Sequence, residues 1–102
     1  MAEAEKRRMP VRTSDIEMDA PYDGWEATVR INMPVKEYDR MFDPETRYEA
    51  MGEAIIRWNF VDDDGDPIPP NADGVQELGF DLLRMLLEKI DKAVANPLAG
   101  TS

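Results

Sequence analysis

The chain predicts a small single α+β domain, and three stretches carry that expectation. Residues 25–33, WEATVRINM, alternate apolar and polar side chains without a break. Residues 74–95 carry apolar side chains at steps of three and four along most of their length. Between them, Asp43-Pro44-Glu45 opens a second helical pattern. At 102 residues, with a hydrophobic fraction of 42%, there is room for one core. A chain this short buries a modest share of its surface, so its stability is expected to be marginal, or assisted by self-association or a partner.

The strand is the clearest element. Trp25, Ala27, Val29, Ile31 and Met33 fall on one face; Glu26, Thr28, Arg30 and Asn32 fall on the other. Pro34 ends it, because proline cannot donate to a ladder. Val35 to Phe42 reads as a short helix with Val35, Tyr38 and Phe42 on one side. A helix over about 44–56 follows, with Asp43 as cap, proline at the first helical position and glutamate in the first turn. Tyr48, Met51, Ile55 and Trp58 continue it at helical spacing, and Gly52 weakens it by roughly 1 kcal/mol relative to alanine. Residues 55–61 are rich in strand formers, so we place a change to extended structure near Trp58, with 57–61 pairing to 25–33. The last element is a long amphipathic helix over about 74–95, capped by Asp73 with Gln76 three residues on. Gly79 is where it kinks or splits, and Lys89 and Lys92 suit its C-terminal end. Residues 1–20 show no sustained period and read as a flexible tail, 21–97 as the domain and 98–102 as a flexible C-terminus.

Composition narrows the chemistry. The chain has no cysteine and no histidine, which removes disulfides, thiolate metal sites and the commonest general base near neutral pH. Residues 1–12 carry four basic and two acidic side chains, net +2; the other 90 carry 8 basic and 20 acidic, net −12. A body this acidic repels phosphate backbones, so nucleic acid is not an expected partner. No apolar run approaches the ~18–20 residues that span a bilayer, and the N-terminus lacks the apolar centre of a signal peptide, so no membrane contact and a cytoplasmic location are expected. No phosphate-cradling loop or nucleophile elbow occurs, and a non-enzyme without cofactors is the expectation.

Residues 58–70, WNFVDDDGDPIPP, pose a choice between a cation loop and a solvated turn. Asp62, Asp64 and Asp66 alternate, as ligands of a hard cation would. The EF-hand pattern fails, however: with Gly65 at its sixth position, the first ligand would be Phe60 and the twelfth Asn71. A turn accounts for each residue, since aspartate bonds nearby amides, glycine supplies positive φ, and Pro67, Pro69 and Pro70 hold an extended return. We therefore expect no metal here.

On the C-terminal helix, Val75, Leu78, Leu82, Met85, Leu86, Ile90 and Ala93 form one stripe. Phe80, Leu83, Leu87 and Val94 form a second beside it. Together they cover an arc of roughly 220°, where packing on a small core typically needs little more than ~100°. One stripe then serves the core, and Phe80, Leu83, Leu87 and Val94 become the candidate partner-binding residues, for a second copy or a client helix. The bland alternative is a central helix covered on both flanks.

The order Ile55-Ile56-Arg57-Trp58-Asn59-Phe60, an acidic-glycine turn at 62–66, Pro67-Ile68-Pro69, and a leucine-rich helix closing on Asn96-Pro97 resembles small proteins encoded among tail genes of long-tailed bacteriophages, the tail assembly chaperones and their relatives. The resemblance covers about the last half of the chain. It implies a non-enzymatic role in the host cytoplasm, shielding apolar helices of a tape measure protein until tail tube subunits polymerise around it. It offers no catalytic motif to carry over. Two other classes stand beside it: a virion component such as a small connector or tail subunit, and an acidic inhibitor of a host nucleic-acid-binding enzyme.

Overall fold

In a computed structural model, which describes residues 10–95, a three-stranded antiparallel sheet packs with four helices. The order is β1 (Thr13–Glu17), β2 (Glu26–Arg30), α1 (Val35–Arg40), α2 (Arg47–Ala54), β3 (Ile55–Trp58), α3 (Ala72–Gln76) and α4 (Phe80–Ala95). The α+β class and a strand within 25–33 paired with a later strand match the sequence-based reading; the pairing is antiparallel, and the strand is shorter than expected, ending at Arg30 before Pro34 is reached.

In the central strand the alternation works as written. Ala27, Val29 and Ile31 are buried, while Trp25 and Met33 lie half-buried against the core. On the outer face Thr28 is also covered, because its hydroxyl donates to Asp15 of β1 at 2.6 Å. Pairing with β3 starts earlier than expected, at Ile55 and not at residue 57. Val29 faces Ile55 and Thr28 faces Arg57, so Ile56 is an extra residue in the ladder. That bulge turns its side chain outward, which is why a β-branched residue stands exposed in the middle of a strand.

The N-terminal strand corrects the tail assignment. Residues 13–17, read from sequence as part of a tail over 1–20, pair along β2 from Thr13–Arg30 to Glu17–Glu26. Ile16 and Met18 reach the core from this stretch, and Asn32 secures its start by accepting from the Arg12 amide at 3.0 Å and donating to the Pro10 carbonyl. Two buried side chains make too short a pattern to see by periodicity. The reading of 98–102 as a flexible terminus, like that of residues 1–9 of the N-terminal tail, lies outside the described residues.

The 44–56 helix begins later than expected, whereas the C-terminal helical stretch begins slightly earlier, at Ala72, and splits at Gly79 as the sequence reading allowed. Asp43 does not cap α2. Its carboxylate accepts from the Glu45 amide at 3.0 Å and its carbonyl takes the amides of Thr46 and Arg47, so residues 43–46 close a turn before α2 starts at Arg47. The C-terminal helix is split, α3 ending at Gln76 and α4 opening at Phe80, with Gly79 in the break. The cap of the first piece is Asn71, whose side chain accepts from the Gly74 amide at 3.0 Å, and not Asp73.

Gly52 owes its place to close packing. A Cβ there would overlap the backbone of Ala72, whose Cα would lie 2.9 Å away, because α3 starts directly on the face of α2. Helix propensity alone predicts that Gly52→Ala stabilises by about 1 kcal/mol. The packing predicts the opposite sign, a loss of about 1–3 kcal/mol in urea unfolding. A raised urea midpoint would show that α2 and α3 are not in contact at this point.

Candidate functional site

The stretch WNFVDDDGDPIPP is an aromatic brace followed by a turn. Trp58 stacks on Phe60 at 4.5 Å with a 16° interplanar angle, and Trp25 lies 5.3 Å from Phe60 on its other contact. Tyr22 meets Trp25 edge-on at 5.2 Å. Asn59 extends the ladder beyond β3: its side chain accepts from the Glu26 amide at 2.8 Å and donates to the Gly24 carbonyl at 3.0 Å. The Trp58 indole donates to the Ile68 carbonyl at 2.6 Å and fastens the proline-rich return to the sheet. Trp58, Asn59 and Phe60 thus each have a structural task.

At the tip, one Asp62 oxygen accepts the amides of Asp64 and Asp66, both at 2.9 Å, and Gly65 takes φ +84°. The carboxylates of Asp62, Asp64 and Asp66 each bring an oxygen within 4.8 Å of the others, all exposed to solvent. Asp62 acts as the cap that closes the turn. Among the described residues no buried side-chain nitrogen or oxygen lacks a hydrogen-bond partner, so no orphaned group is aimed at a ligand.

One concavity lies beside this turn and a second adjoins it at Leu78. A cleft of about 410 Å³ runs between the aspartate tip and the α3–α4 junction, with Trp25, Ile68, Leu78 and Leu82 in its walls and Asp62, Asp63, Asp64 and Glu77 among its polar lining residues. A smaller groove of about 120 Å³ is lined by Tyr48, Val75, Gln76, Leu78, Phe80 and Leu83. Leu78 belongs to both and forms the ridge between them.

The four residues expected to face a partner do not share one environment. Phe80 is 77% exposed, the most open large apolar side chain among the described residues. Leu83 is only 6% exposed and belongs to the core. Leu87 and Val94 are half-buried and pack against that core. The second stripe is therefore largely covered by the domain itself, and the expected open strip of Phe80, Leu83, Leu87 and Val94 contracts to Phe80 and its groove. The reason is additional cover: Ile16 and Met18 next to β1 and Met41 after α1 are all buried in the same cluster. Moreover, α1 is tied to α4 by a hydrogen bond from the Tyr38 hydroxyl to Asp91.

Electrostatics at the α4 start are set by Tyr22 and Asp81. The Tyr22 hydroxyl donates to Asp81 at 2.8 Å, and the Leu82 amide donates to the same carboxylate at 2.8 Å. These bonds hold the Asp81 carboxyl below its ordinary value and, with some desolvation, push the Tyr22 phenol up. A depressed carboxylate contributes stability that is complete above its unfolded-state value and is lost as pH falls through the folded one. The difference in stability between the native chain and Tyr22→Phe is accordingly expected to be full at pH 6 and to shrink below the ordinary carboxylate range. Urea melts at pH 6 and near pH ~2.5 check this. An unchanged difference would remove Asp81 as the group involved.

Comparison with protein-family models, curated proteins and solved structures finds no match. None of the described helices is long and apolar enough to cross a membrane.

Proposed function

We propose that the chain is a non-enzymatic protein-binding protein that shields an apolar helical segment of a partner, in the manner of a phage tail assembly chaperone acting on a tape measure protein. The observation that carries this reading is Phe80: an aromatic ring 77% open to solvent, at the mouth of a groove lined by Tyr48, Leu78 and Leu83. An exposed aromatic beside a groove with aliphatic and aromatic side chains in its lining is the anchor pattern of helix-in-groove recognition. The net charge of −10 suits the task, since it keeps a complex with an aggregation-prone client dispersed. The contact is smaller than the sequence stripe implied, so binding is expected to depend steeply on one side chain.

The test is light scattering of a phage tape measure protein with and without the purified chain, alongside mass spectrometry of finished particles. The reading predicts that the chain suppresses aggregation, that Phe80→Asp folds normally but does not suppress it, and that particles lack the chain. Incorporation at fixed copy number, or protection that ignores Phe80, would contradict it.

A further inference from the structure

We propose that the cleft beside the Phe80 groove receives an arginine or lysine side chain of the same partner segment, so that the preferred client is an amphipathic helix carrying a basic residue next to its apolar anchor. This rests on the protein-binding reading above and adds the partner's charge to it. Three features of the surface converge on it. The cleft is lined by four carboxylates, Asp62, Asp63, Asp64 and Glu77, and no basic residue lines it. Its walls are aromatic and aliphatic, with Trp25, Ile68, Leu78 and Leu82. Finally, Leu78 is shared with the Phe80 groove, so the two concavities adjoin at that side chain.

That combination selects among cations. A bare metal ion would use the carboxylates and leave the aromatic wall idle, and about 410 Å³ is far more space than an ion needs. A guanidinium or ammonium on its carbon stem uses both. The stem lies along Leu78 and the Trp25 ring, where a cation also gains from the ring face, and the head reaches the carboxylates at the rim. Residues three or four apart on a helix are neighbours, so an apolar anchor in the groove places a basic residue one turn away at the ridge. The chain's net charge of −10 draws such a segment in from a distance.

The experiment uses the full chain and two synthetic amphipathic helices, one with leucine anchors flanked by arginines and its twin with glutamates in place of the arginines. Binding is read by tryptophan fluorescence and by amide chemical shifts at low and high salt. The expected result is at least about tenfold tighter binding of the arginine peptide at low salt, with shifts at residues 62–64 and 77–82, and a preference that fades as salt screens it. Asp63→Asn with Asp64→Asn should erase the preference without unfolding the turn, which is held by the Asp62 carboxylate. Equal binding of both peptides, still abolished by Phe80→Asp, would overturn the charge proposal and leave the protein-binding reading standing. Binding of neither would overturn both. Salt-sensitive self-association lost in Arg7→Glu with Arg8→Glu, without peptide binding, would also overturn it by assigning the cleft to the chain's own N-terminal segment.

Discussion

Phe60→Ala is expected to cost about 3–5 kcal/mol, enough to bring a domain of this size close to unfolding at room temperature. The side chain is 1% exposed, stacked on Trp58 and 5.3 Å from Trp25, so its removal opens a cavity between two large rings that cannot both follow it inward. The loss propagates. Trp58 holds the return strand through its bond to the Ile68 carbonyl, and Trp25 lines the acidic cleft. The chain's two tryptophans both lie against Phe60, so fluorescence-detected urea unfolding reads the site directly. A midpoint shift worth under about 1 kcal/mol would show that the aromatic brace is not part of the core.

The second large effect separates two residues that sequence periodicity had joined. Leu83→Ala is expected to destabilise by about 2–5 kcal/mol, because a side chain 6% exposed leaves a hole in the core. Phe80→Ala, three residues earlier on the same stripe, is expected to change stability by no more than about 0.5 kcal/mol. Its ring is already in water, and alanine is at least as good a helix former. Parallel urea curves with equal slopes check both. Equal effects at the two positions would mean that α4 is rotated relative to the core.

That contrast explains what the sequence could convey. Period-two alternation placed β2 because its inner face is uniformly apolar, and the leucine spacing placed α4 for the same reason. β1 escaped notice since Ile16 is its one buried side chain, with Met18 just beyond it, and pairing to β2, not its own pattern, makes it a strand. The caps went to Asn71 in place of Asp73, and to a turn at Asp43, because several residues of the right chemistry crowd each helix start and only tertiary contacts choose among them. The candidate site was legible in Phe80 alone. Whether Leu83, Leu87 and Val94 face solvent depends on how much of the chain folds back over them, and a helical wheel holds no such information. The cleft was invisible for a related reason: its acids at 62–64 and Glu77 are brought together by the hairpin return, across many residues of sequence.

The central claim is that the surface offered to a partner is the Phe80 patch and not the whole leucine stripe. Fluorine NMR of the chain labelled with fluorophenylalanine tests it, since the three phenylalanines span the range of exposure: Phe80 at 77%, Phe42 at 40% and Phe60 at 1%. With a soluble paramagnetic chelate added, the Phe80 signal should broaden most and the Phe60 signal least, and a bound partner helix should protect Phe80 selectively. A Phe80 signal already shielded in the isolated chain, or one still fully broadened in the complex, would contradict the account.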